Sequence, residues 1–104
     1  LSVGQRKCVA LADALLLRPR VLLLDDFLAG LDLDMRQLAG EILSEAAAFS
    51  SVVVTGHELF DLARWTTRFL VLRDGVIAST VEASGGAPEE IRSRVEAALR
   101  EGER

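Results

Sequence analysis

The apolar positions of this chain change period repeatedly, and each change marks a predicted element. Over Arg6–Leu17, Val9, Leu11, Ala12, Leu15 and Leu16 recur at helical spacing, with no breaker before Pro19. Arg18-Pro19-Arg20 turns the chain into Val21–Leu24, a short continuous apolar run that predicts a central parallel strand buried on both faces. Phe27–Asp34, with Gly30 and three acids between Asp26 and Asp34, predicts a loop, and Met35–Phe49 returns to helix through Leu38, Ile42, Leu43 and Ala46. Ser51–Thr55 contains Val52-Val53-Val54, a second buried strand, which breaks at Gly56.

Downstream, Glu58–Trp65 carries Leu59, Leu62 and Ala63 at helical spacing, and Phe69–Leu72 predicts a third strand. Asp74-Gly75 is a hairpin signal between that strand and Val76–Val81. After the break Ser84–Pro88, Glu89–Arg100 predicts an amphipathic helix with Ile91, Val95, Ala98 and Leu99 on one stripe. Glu90–Arg94 and Glu96–Arg100 are expected i,i+4 ion pairs on it. The alternation of strands and helices predicts an α/β fold: a parallel sheet with flanking helices, ending in a β-hairpin and an amphipathic helix.

Composition narrows the function. The 104 residues are half hydrophobic and about a quarter charged, a globular balance. A net charge of −4 without a Lys/Arg cluster argues against a nucleic-acid partner. The single cysteine, Cys8, cannot close an internal disulfide, which suits a reducing cytoplasmic setting. No apolar stretch approaches the ~20 residues that span a bilayer, and no signal peptide is evident. The chain opens on Leu1 rather than Met, directly on a motif, which suggests a piece of a longer polypeptide.

Three segments and a lone histidine carry candidate chemistry. Leu1-Ser2-Val3-Gly4-Gln5 lies just before a predicted helix, where backbone amides and the helix dipole favour an anion; Ser2 is equally a plain N-cap. Val21–Leu24 delivers Asp25 and Asp26 at its C-terminal end, which is how P-loop NTPases hold Mg²⁺ against phosphates, although strand-end acids are also ordinary loop residues. Ala29-Gly30-Leu31-Asp32 follows closely, and the lone histidine, His57, comes just past the second strand, on the sheet edge expected for Asp25.

In this order and spacing the segments resemble the ATP-binding domain of ABC transporters, over residues 1 to about 82. Leu1–Gln5 is similar to the family's signature motif, Leu22–Asp25 to its Walker B strand, Ala29–Asp32 to its D-loop and His57 to its switch histidine. Phe69–Ile77 resembles the hairpin that follows. The resemblance implies residues 1–83 as the C-terminal half of that domain, with 84–104 a linker and C-terminal helix. It implies ATP and Mg²⁺ as ligands: Asp25 on the metal through water, Asp26 as general base, and His57 on the γ-phosphate and attacking water. Ser2, Val3, Gly4 and Gln5 would face an ATP held mainly by a second ATP-binding domain in a head-to-tail dimer, with Asp32 communicating across it.

The implied partners are an N-terminal half bearing the P-loop and a transmembrane transporter subunit, which places the protein on the cytoplasmic face of the cell membrane. The chain departs from the family pattern where Val3 replaces a usual Gly, Cys8 and Asp13 stand where Arg is common, Phe27 replaces a usual Pro and Asp26 replaces the usual Glu. The shorter Asp26 supports an alternative, a degenerate ATP-binding module that hydrolyses slowly or not at all; an inactive truncated product is a further alternative. A chromosome-maintenance or repair ATPase shares the signature and Walker B patterns, but the His57 and Asp74-Gly75 arrangement fits transporters better.

Overall fold

The computed structural model describes residues 1–101 as two compact units, Leu1–Glu58 and a second from Leu59 onward. The last three positions of the expected C-terminal segment, 102–104, lie outside the described residues.

The first unit runs α1 (Val3–Leu15), β1 (Val21–Leu24), α2 (Leu33–Ala46) and β2 (Ser51–Val54). Both helices begin earlier than hydrophobic periodicity predicts, because capping sets the start. Ser2 caps α1 in a capping box: its hydroxyl accepts from the Gln5 N–H (3.0 Å), and the Gln5 side chain accepts from the Ser2 N–H (2.9 Å). Asp32 caps α2 by accepting from the Met35 N–H at 2.8 Å.

β1 and β2 pair in parallel, with Val21 opposite Ser51 and Leu24 opposite Val54. The strands are not buried on both faces, as their apolar runs suggested. Leu22 is buried, whereas Val21 and Leu23 are 57% and 73% exposed and Val53 is 49% exposed. The alternation is that of a sheet covered on one side. On α1, Leu11 is buried, while Val9 and Leu16 of the expected stripe are largely exposed. The predicted loop, by contrast, supplies core: Phe27, Leu28 and Leu31 are all buried.

The second unit contains α3 (Leu59–Trp65), β3 (Arg68–Arg73), β4 (Val76–Glu82) and α4 (Pro88–Arg100). β3 pairs antiparallel with β4 in its own two-stranded sheet, with a bulge at Val71/Leu72, rather than extending the parallel sheet. Asp74 (φ 52°) and Gly75 (φ 80°) form the turn. Two consecutive left-handed residues match the twist of a tight hairpin, so the local turn dictates this pairing.

Ala63, Val71, Val81, Ala83, Ile91, Val95 and Ala98 form the core of this unit, with Leu59 and Phe69 packed against it. Leu99, expected on the same stripe, is 45% exposed. The ion pairs on α4 also differ from those expected. Arg92 bonds Glu89 (2.7 Å) and approaches Glu96 (3.9 Å), while Arg94 donates to the Glu82 carbonyl at 3.2 Å. Tertiary reach to β4 outcompetes an exposed helix-surface pair worth about 0.2–0.5 kcal/mol. Arg73 donates to the carbonyls of Ala98 and Leu99, placing a cation at the helix C-terminus.

Candidate functional site

Every sequence-predicted site residue lies in the first unit, and the parallel pairing organises them. In-register parallel strands end together, so Asp25, one residue past β1, and His57, three past β2, both follow C-terminal strand ends. The ladder continues beyond the strands proper. The Thr55 N–H donates to the Leu24 carbonyl at 2.9 Å, and the Asp26 N–H donates to the Thr55 carbonyl at 3.1 Å.

Thr55 also ties the two acids through its side chain. Its hydroxyl donates to Asp25 Oδ1 at 2.5 Å and accepts from the Asp26 N–H at 2.9 Å. One carboxylate oxygen of Asp25 is thus oriented by protein, and the other remains for a further ligand. Among the described residues no three His, Cys, Asp or Glu side chains converge as a metal cluster. Mg²⁺ does not need one: it commonly takes one or two carboxylates and completes its shell with water and phosphate oxygens. The Asp25 side chain, exposed and anchored at one oxygen, fits that requirement.

Asp26 is left-handed, φ 52°, a conformation that costs an L-residue roughly 1–2 kcal/mol and that Asp and Asn tolerate best. A following proline would restrict this residue to extended backbone; Phe27 does not. Buried Phe27 and Leu28 instead anchor the turn. Its carbonyls are gathered by Lys7 from α1, whose ammonium donates to Asp26 (3.4 Å), Phe27 (3.2 Å) and Ala29 (2.5 Å).

At the start of α1, Ser2 and Val3 are exposed at a helix N-terminus, as an anion site requires, but Gly4 is buried. A Cβ on Gly4 would lie 3.1 Å from Leu31 Cδ2 and 3.5 Å from Met35 Cγ. Glycine here permits close packing of α1 on the turn before α2, a role beyond any approach to phosphate. Ser2 and Gln5 are engaged with each other, leaving the Ser2 hydroxyl hydrogen available to donate. Asp32 is spent partly on its cap. The His57 side chain is exposed, and its backbone N–H donates to Glu58 Oε2 at 3.1 Å. Cys8, beside Lys7, is half-buried, and desolvation raises its thiol pKa above the ordinary value.

Lys7 and Thr55 join the site only in the folded structure. A threonine closing a strand beside an acid-terminated strand is a usable polar signal. A lysine on a helix 19 residues upstream of its first partner carries none.

No protein-family model matches the chain. Its sequence is 44% identical to the molybdenum import ATP-binding protein ModC of Mycobacterium tuberculosis over 75% of this chain and 22% of that protein. It is 38% identical to the aliphatic sulfonates import ATP-binding protein SsuB of Rhodopseudomonas palustris, over 99% of this chain and 37% of the relative. The spermidine/putrescine import ATP-binding protein PotA 1 of Pseudomonas aeruginosa is 38% identical over 90% of this chain and 25% of its own length. The chain therefore spans between about a fifth and two-fifths of these curated relatives. Among solved structures, an ATP-binding cassette of an ABC transporter superposes with a TM-score of 0.74 at 22% identity, covering 97% of this chain and 39% of the other. The ADP conformation of the same cassette gives 0.72 at 23% identity, over 92% and 37%.

Proposed function

Because the chain belongs to the ATP-binding proteins of ABC transporters and spans only part of their length, we propose that it forms the downstream part of an ATPase site that powers solute import. The observation that carries this reading is the in-register parallel pair β1–β2, which puts Asp25, Asp26 and His57 beyond the same strand ends. The relatives' names concern chemically unrelated solutes (molybdenum, sulfonates, polyamines) at comparable identity, which supports a common ATP-linked role for this region rather than a solute-specific one.

In this reading Asp25 would hold Mg²⁺ through water at its free oxygen, and the ion, when bound, neutralises charge on the phosphates. Asp26 accepts the proton of the attacking water, for which it must come within about 2.6–3.2 Å. His57 hydrogen-bonds the γ-phosphate. Ser2, Val3, Gly4 and Gln5 present the positive end of α1 to an ATP on a second, head-to-tail domain, and Asp32 lies toward that interface. The phosphate cradle comes from elsewhere in the polypeptide, since these residues contain no Gly-x-x-x-x-Gly-Lys-Ser/Thr run. The open apolar faces of β1–β2 and α1 support burial against such further chain. A transmembrane subunit completes the transporter, with this domain on its cytoplasmic side; among the described residues no helix is long and apolar enough to cross a membrane itself. Residues 1–83 carry the ATPase role, and 84–104 a separate C-terminal one.

One observation favours a second reading, a nucleotide-binding module with little hydrolysis. Asp26 is one methylene shorter than Glu and leaves the strand in a left-handed turn. A misplacement of ~1 Å can lower a rate ~100-fold. Single-turnover hydrolysis by the full-length protein separates the two. A catalytic Asp26 gives a substantial rate that Asp26→Asn nearly abolishes and Asp26→Glu preserves or raises. Equal, substantial rates for Asp and Asn remove Asp26 from catalysis, and a rate near zero in all three leaves the binding module.

A further inference from the structure

Lys7 is half-buried on the second turn of α1, and its ammonium, which has three donors, lies within hydrogen-bonding distance of three carbonyls in the turn 26–29. The residue at the head of that turn, Asp26, is the one held at positive φ. Its two flanking peptide groups are both pinned. The N–H is shared between the Thr55 carbonyl and hydroxyl, and the C=O accepts from the Ala29 N–H (3.3 Å) and from Lys7. A left-handed L-residue disfavours the folded state by roughly tenfold in equilibrium constant, so it persists only where surrounding contacts over-determine it. Charge-assisted hydrogen bonds, about twice as strong as neutral ones, are suited to that task.

We infer that Lys7 is a positioning residue: it holds the Asp26 turn in its left-handed form and thereby aims the Asp26 carboxylate. Two consequences follow. Lys7 joins the helix whose N-terminus carries Ser2–Gln5 to the acidic turn, so a shift of α1 is transmitted to Asp26 through a side chain rather than through the intervening strand. A compact ammonium is also required, because the planar guanidinium of arginine cannot converge on three carbonyls around a point.

The test is a double-mutant cycle in the full-length protein, read by denaturant unfolding, with Lys7→Met and Asp26→Gly. Glycine adopts positive φ freely, so it removes the need for a clamp. In the otherwise unmutated protein, Lys7→Met is expected to raise the unfolding equilibrium constant about tenfold. In the protein already carrying Asp26→Gly, the same change should raise it by less than about threefold. Equal effects in both backgrounds, or none in either, overturn the inference, since a general α1–turn staple would not depend on the residue at the head of the turn. If Lys7→Met does not fold, Lys7→Gln replaces it in the cycle. The catalytic arm rests on the ATPase reading above. There, Lys7→Met should lower kcat about tenfold or more with KM for ATP within about twofold, because Lys7 acts on the base and not on nucleotide. A raised KM at unchanged kcat overturns it. Absent hydrolysis in the unmutated protein sinks the ATPase reading alone, and the unfolding cycle still decides the role of Lys7.

Discussion

Ser2 is both a helix cap and a candidate phosphate contact, and two substitutions pull these roles apart. Ser2→Ala removes the acceptor of the Gln5 N–H, a 3.0 Å bond at an exposed helix start, and leaves the reciprocal Ser2 N–H to Gln5 bond in place. Loss of such a cap costs about 1 kcal/mol, within a range of roughly 0.5–2, and lowers the melting temperature by about 2–8 °C according to the size of the cooperative unit. Ser2→Asp caps as well as Ser and places a negative charge on the positive end of α1, so stability is unchanged or rises by about 0.3–1 kcal/mol. The same charge opposes a phosphate. Two like charges ~4 Å apart repel by about 1 kcal/mol in water and about 4 kcal/mol at an effective dielectric of 20, which is a roughly five- to thousandfold loss in affinity. Thermal unfolding followed by circular dichroism, paired with single-turnover ATP hydrolysis of the full-length protein, reads both effects. The expected pattern is Ser2→Ala less stable and Ser2→Asp as stable as the parent but defective in hydrolysis. Full hydrolysis by Ser2→Asp would show that this helix end does not face phosphate, and an unchanged melting temperature for Ser2→Ala would show that the cap contributes nothing.

The 104 residues by themselves should not bind Mg-ATP with micromolar affinity, because the P-loop amides and lysine that cradle the phosphates are not among them; isothermal titration calorimetry with a micromolar Kd would contradict this. Ile91→Ala, at a position 1% exposed in the core of the second unit, should destabilise by about 2–5 kcal/mol in urea unfolding, and a change under about 1 kcal/mol would mean α4 does not pack as described. Asp32→Ala, which removes the 2.8 Å cap of α2, should cost about 1 kcal/mol in the same assay, and full stability in that variant would deny the cap. Burial raises the Cys8 thiol pKa, so the reactive thiolate forms only at higher pH than in a free thiol. Alkylation of Cys8 should therefore lag a model thiol at neutral pH and approach it as pH rises, whereas matching rates at pH 7 would refute the shift.

Local chemistry determined the elements and the placement of most candidate site residues. Periodicity located the four helices and four strands of the described residues, since a helix stripe and an apolar strand run are properties of neighbouring residues. Asp74-Gly75 fixed the hairpin because only residues tolerant of positive φ make that turn. The strand-end acids and His57 were legible because parallel strands that pair in register must end on the same side. Helix starts lie three residues earlier at α1 and two at α2 than periodicity predicts, because Ser2 and Asp32 start them ahead of the apolar stripe.

Tertiary structure decided what has no local signature. Which face of Val21–Leu24 is covered depends on what packs there, and an apolar run reads the same whether one face or both are buried. Phe27 and Leu28 lie among acids and a glycine, so composition marked a loop; only packing turned them into the anchor of the acidic turn. The convergence of Lys7 on three carbonyls 19 to 22 residues away, and the sharing of the Thr55 hydroxyl between Asp25 and Asp26, exist only once α1, β1 and β2 are assembled. Hydrogen bonds are directional and act over about 3 Å, and contacts between residues so distant along the chain are created by the fold that brings them within that range.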